Sequence, residues 1–198
     1  MKKSWILSLA LVAVGCASYN STNLSALNPK AVKSQSDEAW FKVACKAYSV
    51  GDCMRYLDRN VIAKGYQPVQ IYIKNESNKT FTFSPDQISL PIANSAEVAY
   101  KVHTNTAGRV AAYTVGGVVL LTPLLWIPAV VDGIKSRDAN IRLDADYKEK
   151  VAKKVEILPG ESYNAVVFVA KQDFRREFTV ALQEEGTNNF EVVTLSAS

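Results

Sequence analysis

Residues with the chemistry for catalysis are few in this chain and poorly grouped. Its single histidine, His103, is the obvious candidate base, but a base needs a proton donor or an orienting carboxylate within hydrogen-bond reach. His103 lies in an Ala-, Val- and Tyr-containing stretch with no evident partner, and reads as a structural histidine. Asp144-Ala145-Asp146 places two carboxylates close together but lacks the glycine and terminal glutamate of a calcium loop, so these acids read as solvated. Cys16, Cys45 and Cys53 contain no CxxC, and one histidine does not complete a zinc set with them. GxSxG, HExxH, GxGxxG and the phosphate-binding P-loop are all missing. The expectation is a protein that is not an enzyme and carries no metal or cofactor. A hydrolase whose fold assembles an acidic pair is a distant alternative.

Of the three cysteines, Cys16 has the most informative surroundings. Residues 1–16 read MKKSWILSLALVAVGC, two lysines followed by an uncharged run from Trp5 to Val14. That run is too short to cross a hydrocarbon core of about 30 Å, so it reads as a signal peptide to be removed. Ala13-Val14-Gly15-Cys16 resembles the lipobox of bacterial lipoproteins, although Ala13 stands where Leu is commonest. The resemblance implies cleavage after residue 15 and acylation of Cys16, the first residue of the mature chain. Two or three acyl chains there would make attachment effectively permanent. Ala17, rather than Asp, after that cysteine favours the outer membrane by the same resemblance, with the domain facing the periplasm. The competing reading is an ordinary secretory signal cut near Ala17-Ser18.

Loss of Lys2 and Lys3 with the signal leaves 21 of the 23 basic residues against 19 acidic ones, a net +2. Despite a precursor pI of 8.9, nothing points to nucleic acid, whose binders concentrate basic residues in stripes. Lys148, Lys150, Lys153 and Lys154 are interleaved with Asp144, Asp146 and Glu149, and read as a solvated helix face. Export leaves Cys45 and Cys53 in a compartment that permits disulfides. A bridge would close a short loop, Lys46 to Asp52, and contribute about 2 to 3 kcal/mol; two buried free thiols are the alternative.

The 198 residues are 48% hydrophobic and 21% charged. That composition describes a globular domain, and a mean hydropathy of -0.02 argues against a polytopic membrane protein. Residues 16–37, rich in Ser, Asn and Ala, read as a flexible tether carrying a domain at 38–198. Alternation predicts a strand over 41–47, a hairpin of 69–73 and 81–83 across the polar turn 75–79, and strands at 155–158, 166–170, 178–182 and 190–195. Ser84-Pro85-Asp86 is expected to break the strand containing Phe81, with 88–91 extended beyond it. Asp52 to Lys64 has helical spacing, and Pro159-Gly160 suggests a type II turn. The expected fold is mostly β, an antiparallel sandwich interrupted by helices at about 95–154. The Asn-rich turn, aromatic strand and Pro-Gly-Glu-Ser before an apolar strand resemble immunoglobulin-like sandwich domains of exported bacterial proteins. That resemblance is architectural, since the Cys…Trp…Cys signature is missing.

Residues 110–131 carry no charge over 22 positions. As a straight helix that length would span about 33 Å. Gly116-Gly117, Pro123 and Pro128 argue instead for an apolar hairpin, one helix from Ser95 to Leu121 and another from Leu124 toward Ser136. An amphipathic helix over 138–154 follows it. Membrane or partner contact is expected from Val118, Val119, Leu120, Leu121, Leu124, Leu125, Trp126 and Ile127. Three readings of this segment stand: a second membrane contact, a cover for an open sheet face, or a docking patch for a protein. The functional expectation is a lipid-anchored cell-envelope protein acting as a non-catalytic, membrane-associated binding or structural module, with membrane lipid as partner through Cys16. The alternative is an accessory component of an envelope assembly or transport complex, docking a membrane or envelope protein through 110–131.

Overall fold

The computed structural model describes residues 18–36, 39–105 and 126–198. The fold is mixed α/β, with two four-stranded antiparallel sheets. Strands β1 (Lys30–Lys33), β2 (Trp40–Ala47), β3 (Tyr66–Asn75) and β6 (Ser162–Ala170) form the first, in the order β1-β2-β3-β6. The second runs β5-β4-β7-β8, from β4 (Phe81–Ile88), β5 (Val155–Ile157), β7 (Glu177–Glu184) and β8 (Phe190–Ser196). Among the described residues the α-helices are α1 (Val50–Tyr56), α2 (Ser95–Val102) and α3 (Trp126–Lys150). Tyr19–His103 and Asn140–Ser198 make one compact unit, which α3 enters at Asn140; the packing below lies within it.

The alternation of apolar residues explains the core. Phe41, Val43 and Cys45 of β2, Val69, Ile71 and Ile73 of β3, and Val167 and Val169 of β6 all enter one cluster. Phe81 and Phe83 of β4, Val180 and Leu182 of β7, and Val193 and Leu195 of β8 join it from the second sheet. Phe41 and Phe81 meet edge to face at 5.2 Å between ring centroids, a contact between the two sheets. Each such fully buried side chain contributes roughly 2 kcal/mol of hydrophobic stabilisation.

Several local features refine the expected strands. Pro68 lies within β3, a central strand, where its missing N–H would normally leave a ladder position open. Tyr48 N–H donates to the Pro68 carbonyl at 2.9 Å, and the Gln67 side-chain amide donates to the Tyr48 carbonyl at 2.9 Å. Gln67 thus supplies the donor that proline lacks. Strand β4 is not broken at Ser84-Pro85-Asp86. It continues to Ile88 with a shift of register between Phe83 and Ile88, the kind of irregularity that accommodates proline. The type II turn is centred on Pro159-Gly160: Gly160 has φ +81°, and Glu161 N–H donates to the Leu158 carbonyl at 3.0 Å. The strands expected to form a hairpin, 69–73 and 81–83, do not pair: β3 bonds to β2 and β6 and β4 to β5 and β7, so the turn 75–79 carries the chain from one sheet to the other, with the apolar residues of both strands in the one core. Asn75 is fully buried at the end of β3, its amide donating to the Lys79 and Ile157 carbonyls and its oxygen accepting from the backbone and hydroxyl of Ser77.

The outer face of the first sheet is covered as well. Tyr66, Val166 and Phe168 pack with Cys53, Tyr56 and Leu57 of the α1 region, Val98, Ala99 and Val102 of α2, and Leu143 and Tyr147 of α3. Tyr147 stacks on Phe168 at 5.5 Å. The α1 helix is shorter than its spacing suggested and begins earlier. Ser49 caps it, and Asp52, in the third helical position, completes a capping box. The helix stops at Tyr56, and a separate 3-10 turn, Ile62–Lys64, ends at Gly65 with φ +89°. The helix expected from Ser95 to Leu121 ends at Val102, where His103 leaves helical geometry. Asn94 caps its start, accepting from Ala96 and Glu97. The two helical segments expected at 124–136 and 138–154 form the single helix α3, whose Pro128 lies in the first turn, where its missing N–H is tolerated. Among the described residues, no helix is long and apolar enough to cross a membrane.

The stretch 16–37 was expected to be a flexible tether, but its described part is tied to the domain. Thr22 N–H donates to the Arg55 carbonyl at 2.9 Å, Lys30–Lys33 pairs with β2, and Gln35 N–H donates to the Val192 carbonyl at 2.8 Å. Few apolar residues are needed for this, because backbone and polar side chains make the attachment. The bridge between Cys45 and Cys53 is likewise not made; both are buried free thiols. The Cys45 side chain enters the core between the sheets, whereas Cys53 enters the helix layer on the other face of the first sheet, so a bond would have to cross that sheet.

Candidate functional site

The residues that tie down the N-terminal segment form the most developed polar site in the unit. Leu143, Asp146, Tyr147 and Lys150 recur at three- and four-residue spacing on α3, so all four share one face. Leu143 and Tyr147 bury their side chains against the sheet. Asp146 and Lys150, on the same stripe, are carried into a half-buried and a buried position; Lys150 is only 8% exposed.

A buried ammonium is tolerated only when its donors are satisfied. Lys150 Nζ lies 2.8 Å from Asp146 Oδ2, 2.9 Å from Ser21 Oγ, and 2.8 Å from the carbonyls of both Thr22 and Tyr56. Three N–H groups therefore face four oxygens. Asp146 Oδ2 also accepts from the hydroxyls of Tyr19 and of Ser21, the latter at 3.0 Å. The Arg59 guanidinium sits 5.5 Å from the Tyr19 ring centroid. Burial, together with the hydrogen bond to Asp146, pushes the Tyr19 phenol well above its usual range, so it remains a donor. This arrangement binds the segment Tyr19–Thr22 to α3 and to the end of α1. A second tie lies on the outer face of β3. Fully buried Gln70 donates to the Ser25 carbonyl at 2.7 Å and to Asn164 at 2.8 Å, and accepts from Tyr48 at 3.0 Å.

A second polar feature lies between α2 and α3. His103 Nε2 is 2.7 Å from Asp144 Oδ1, and the imidazole meets the Tyr100 ring at 5.6 Å. They line a groove of about 470 Å³ with Ser95, Ala99, Tyr147 and Lys148. The combination of serine, histidine and aspartate invites comparison with a hydrolase triad. Ser95, however, starts α2 and His103 caps its far end. Eight residues of helix separate their backbones by about 12 Å along the axis, far beyond the hydrogen-bonded spacing of a triad. Among the described residues, no group of three or more His, Cys, Asp and Glu is placed to hold a metal ion.

No family model, curated protein or solved structure matches this chain. The functional reading therefore rests on its own residues.

Of the residues singled out from sequence, Cys16 and Val118, Val119, Leu120, Leu121, Leu124 and Leu125 lie outside the described residues. Trp126 and Ile127 belong to the backbone of α3. Burial raises the Cys45 thiol to about 12 and that of Cys53 to about 11, which leaves both inert at neutral pH. His103 does have a carboxylate partner, Asp144, which its own helix did not reveal because α3 supplies it. Lys150, read with its neighbours as solvated, is instead buried, while Lys148, Lys153 and Lys154 are exposed. Two charges four residues apart on a stripe shared with Leu143 and Tyr147 were the available signal. Tyr19 and Ser21 carried none, because their partners are more than a hundred residues away.

Proposed function

We propose that this chain is a lipid-anchored cell-envelope protein, acting as a non-catalytic, membrane-associated binding or structural module. The observation that carries this reading is the ordered run of lysines, apolar segment and lipobox-like Ala13-Val14-Gly15-Cys16. Acylated Cys16 is the membrane contact. Ala17 after it favours the outer membrane, with the domain facing the periplasm.

The two sheets and their shared core suit an immunoglobulin-like sandwich, an architecture that does not by itself dictate chemistry. The separation of Ser95 from His103, and the burial of both thiols, support a role other than catalysis.

A second reading is favoured by one feature, the uncharged run 110–131. In it the protein is an accessory component of an envelope assembly or transport complex, docking a partner through Val118 to Leu121 and Leu124 to Ile127.

Fractionation tests the anchor. A Cys16→Ala variant exported by a cleavable secretory signal is expected to leave the membrane pellet and become soluble. Retention in the pellet through a high-salt wash would transfer the anchoring role to 110–131 and contradict Cys16 as the sole anchor.

A further inference from the structure

Asp146 and Lys150 fix the chain close to its lipobox. Tyr19 is held by Asp146, and Thr22 by both Lys150 and Arg55. Cys16 precedes Tyr19 by three residues. Their Cα atoms can therefore be no more than about 11 Å apart however the chain runs between them. A lipid on Cys16 brings the Tyr19–Thr22 attachment point within about one sheet spacing of the headgroups.

Next to that attachment point, α1 presents an outward face suited to such contact. Val50 and Met54, one turn apart, are 48% and 49% exposed, and Arg55, whose carbonyl receives Thr22, is exposed beside them. Apolar side chains flanked by a cation are the composition of surfaces that rest at the boundary between phosphate and acyl chains.

We propose, building on acylation of Cys16, that this protein has no free tether and that the Asp146–Lys150 site clamps its N-terminal segment, so that the α1 face bearing Val50, Met54 and Arg55 lies against the phospholipid surface holding the anchor. The clamp fixes orientation as well as distance. The helix layer then faces lipid, and the second sheet, on the far side of the core, faces away by roughly 20 Å. The contact is weak by itself and relies on the high local concentration that the anchor provides.

Energy transfer to a headgroup acceptor tests this in the full-length acylated protein, reconstituted in vesicles of phosphatidylethanolamine and phosphatidylglycerol. A donor dye is placed on Met54→Cys or on Thr187→Cys, an exposed position in the turn between β7 and β8; the buried native thiols stay unlabelled. The expected result is clearly greater transfer from position 54 than from position 187. Insertion of twelve Gly and Ser residues between Ala17 and Ser18, a coil of roughly 20 Å, should lower the signal at 54 to that at 187. Equal transfer from both positions in the protein without the insertion, while it floats with the vesicles, would overturn the clamp and leave the anchor standing. Failure to float would overturn the anchor itself, and the clamp's role with it.

Discussion

Lys150 and Asp146 stand one helical turn apart on α3, 2.8 Å from nitrogen to oxygen, and together they hold a segment more than a hundred residues away in the chain. Their pairing alone would contribute little on an exposed helix. Burial changes the balance, because removing one partner strands the other away from water.

Replacing Lys150 by Met is therefore expected to destabilise the domain by about 3 kcal/mol. Asp146 and the carbonyls of Thr22 and Tyr56 lose their common donor. Urea unfolding gives the loss, and amide exchange locates it. The Thr22 amide, which donates to Arg55, should lose protection more than the amides of β3 do.

Gln67→Ala tests the substitute donor beside Pro68, because the Tyr48 carbonyl would lose its side-chain partner. The expected cost is about 1 kcal/mol, and the melting temperature should fall by several degrees. An unchanged melting temperature would show that water satisfies that carbonyl equally well.

Gly160→Ala isolates backbone strain. An added Cβ would meet no atom within 4 Å, so any loss comes from φ +81° alone. A fall of about 1 kcal/mol is expected, read from the shift in urea midpoint at unchanged slope.

The fold was legible where period and chemistry agree. Phe41 to Cys45 and Val69 to Ile73 alternate cleanly and are strands with those residues in the core, but alternation does not name a partner: Val69 to Ile73 pairs with β2 and β6 and not with Phe81 to Phe83 across the turn. Short polar elements were not legible: Lys30–Lys33 is a strand because β2 offers it an edge, not because its residues prefer one. Cys45 and Cys53 are close in sequence but are separated by the sheet, a relation that spacing does not encode. At the candidate site, Asp146 and Lys150 read as part of a solvated helix face, and their burial becomes evident, like the part played by Tyr19 and Ser21, only once α3 lies beside the N-terminal segment.

Acid should expose the role of Asp52. Burial pulls its carboxyl upward, but the hydrogen bonds from Lys46 and Ser49 outweigh this and hold it below the usual carboxylate range. The folded value is thus the lower one, so its contribution is complete above the unfolded value of about 3.9 and is lost as pH falls through the folded one. Asp52→Asn should flatten that part of the stability profile, measured by urea unfolding at stepped pH.

The thiols act in the alkaline direction. Their folded values are about 12 and about 11. Against an unfolded value of about 8.5, their contribution is intact below the unfolded value and declines as pH rises beyond it. A thiol reagent at pH 8 should react with Cys45 and Cys53 only after denaturant is added, and reaction of both in the native protein would contradict their burial.

The central claim, that Cys16 is the point of attachment to the membrane, is tested most directly by the intact mass and N-terminal peptide of the protein extracted from membranes with detergent. The prediction is a chain that begins at Cys16 and carries acyl-chain mass on that residue, absent from Cys16→Ala. A mature chain that begins at another residue, or at Cys16 without added mass, would contradict it.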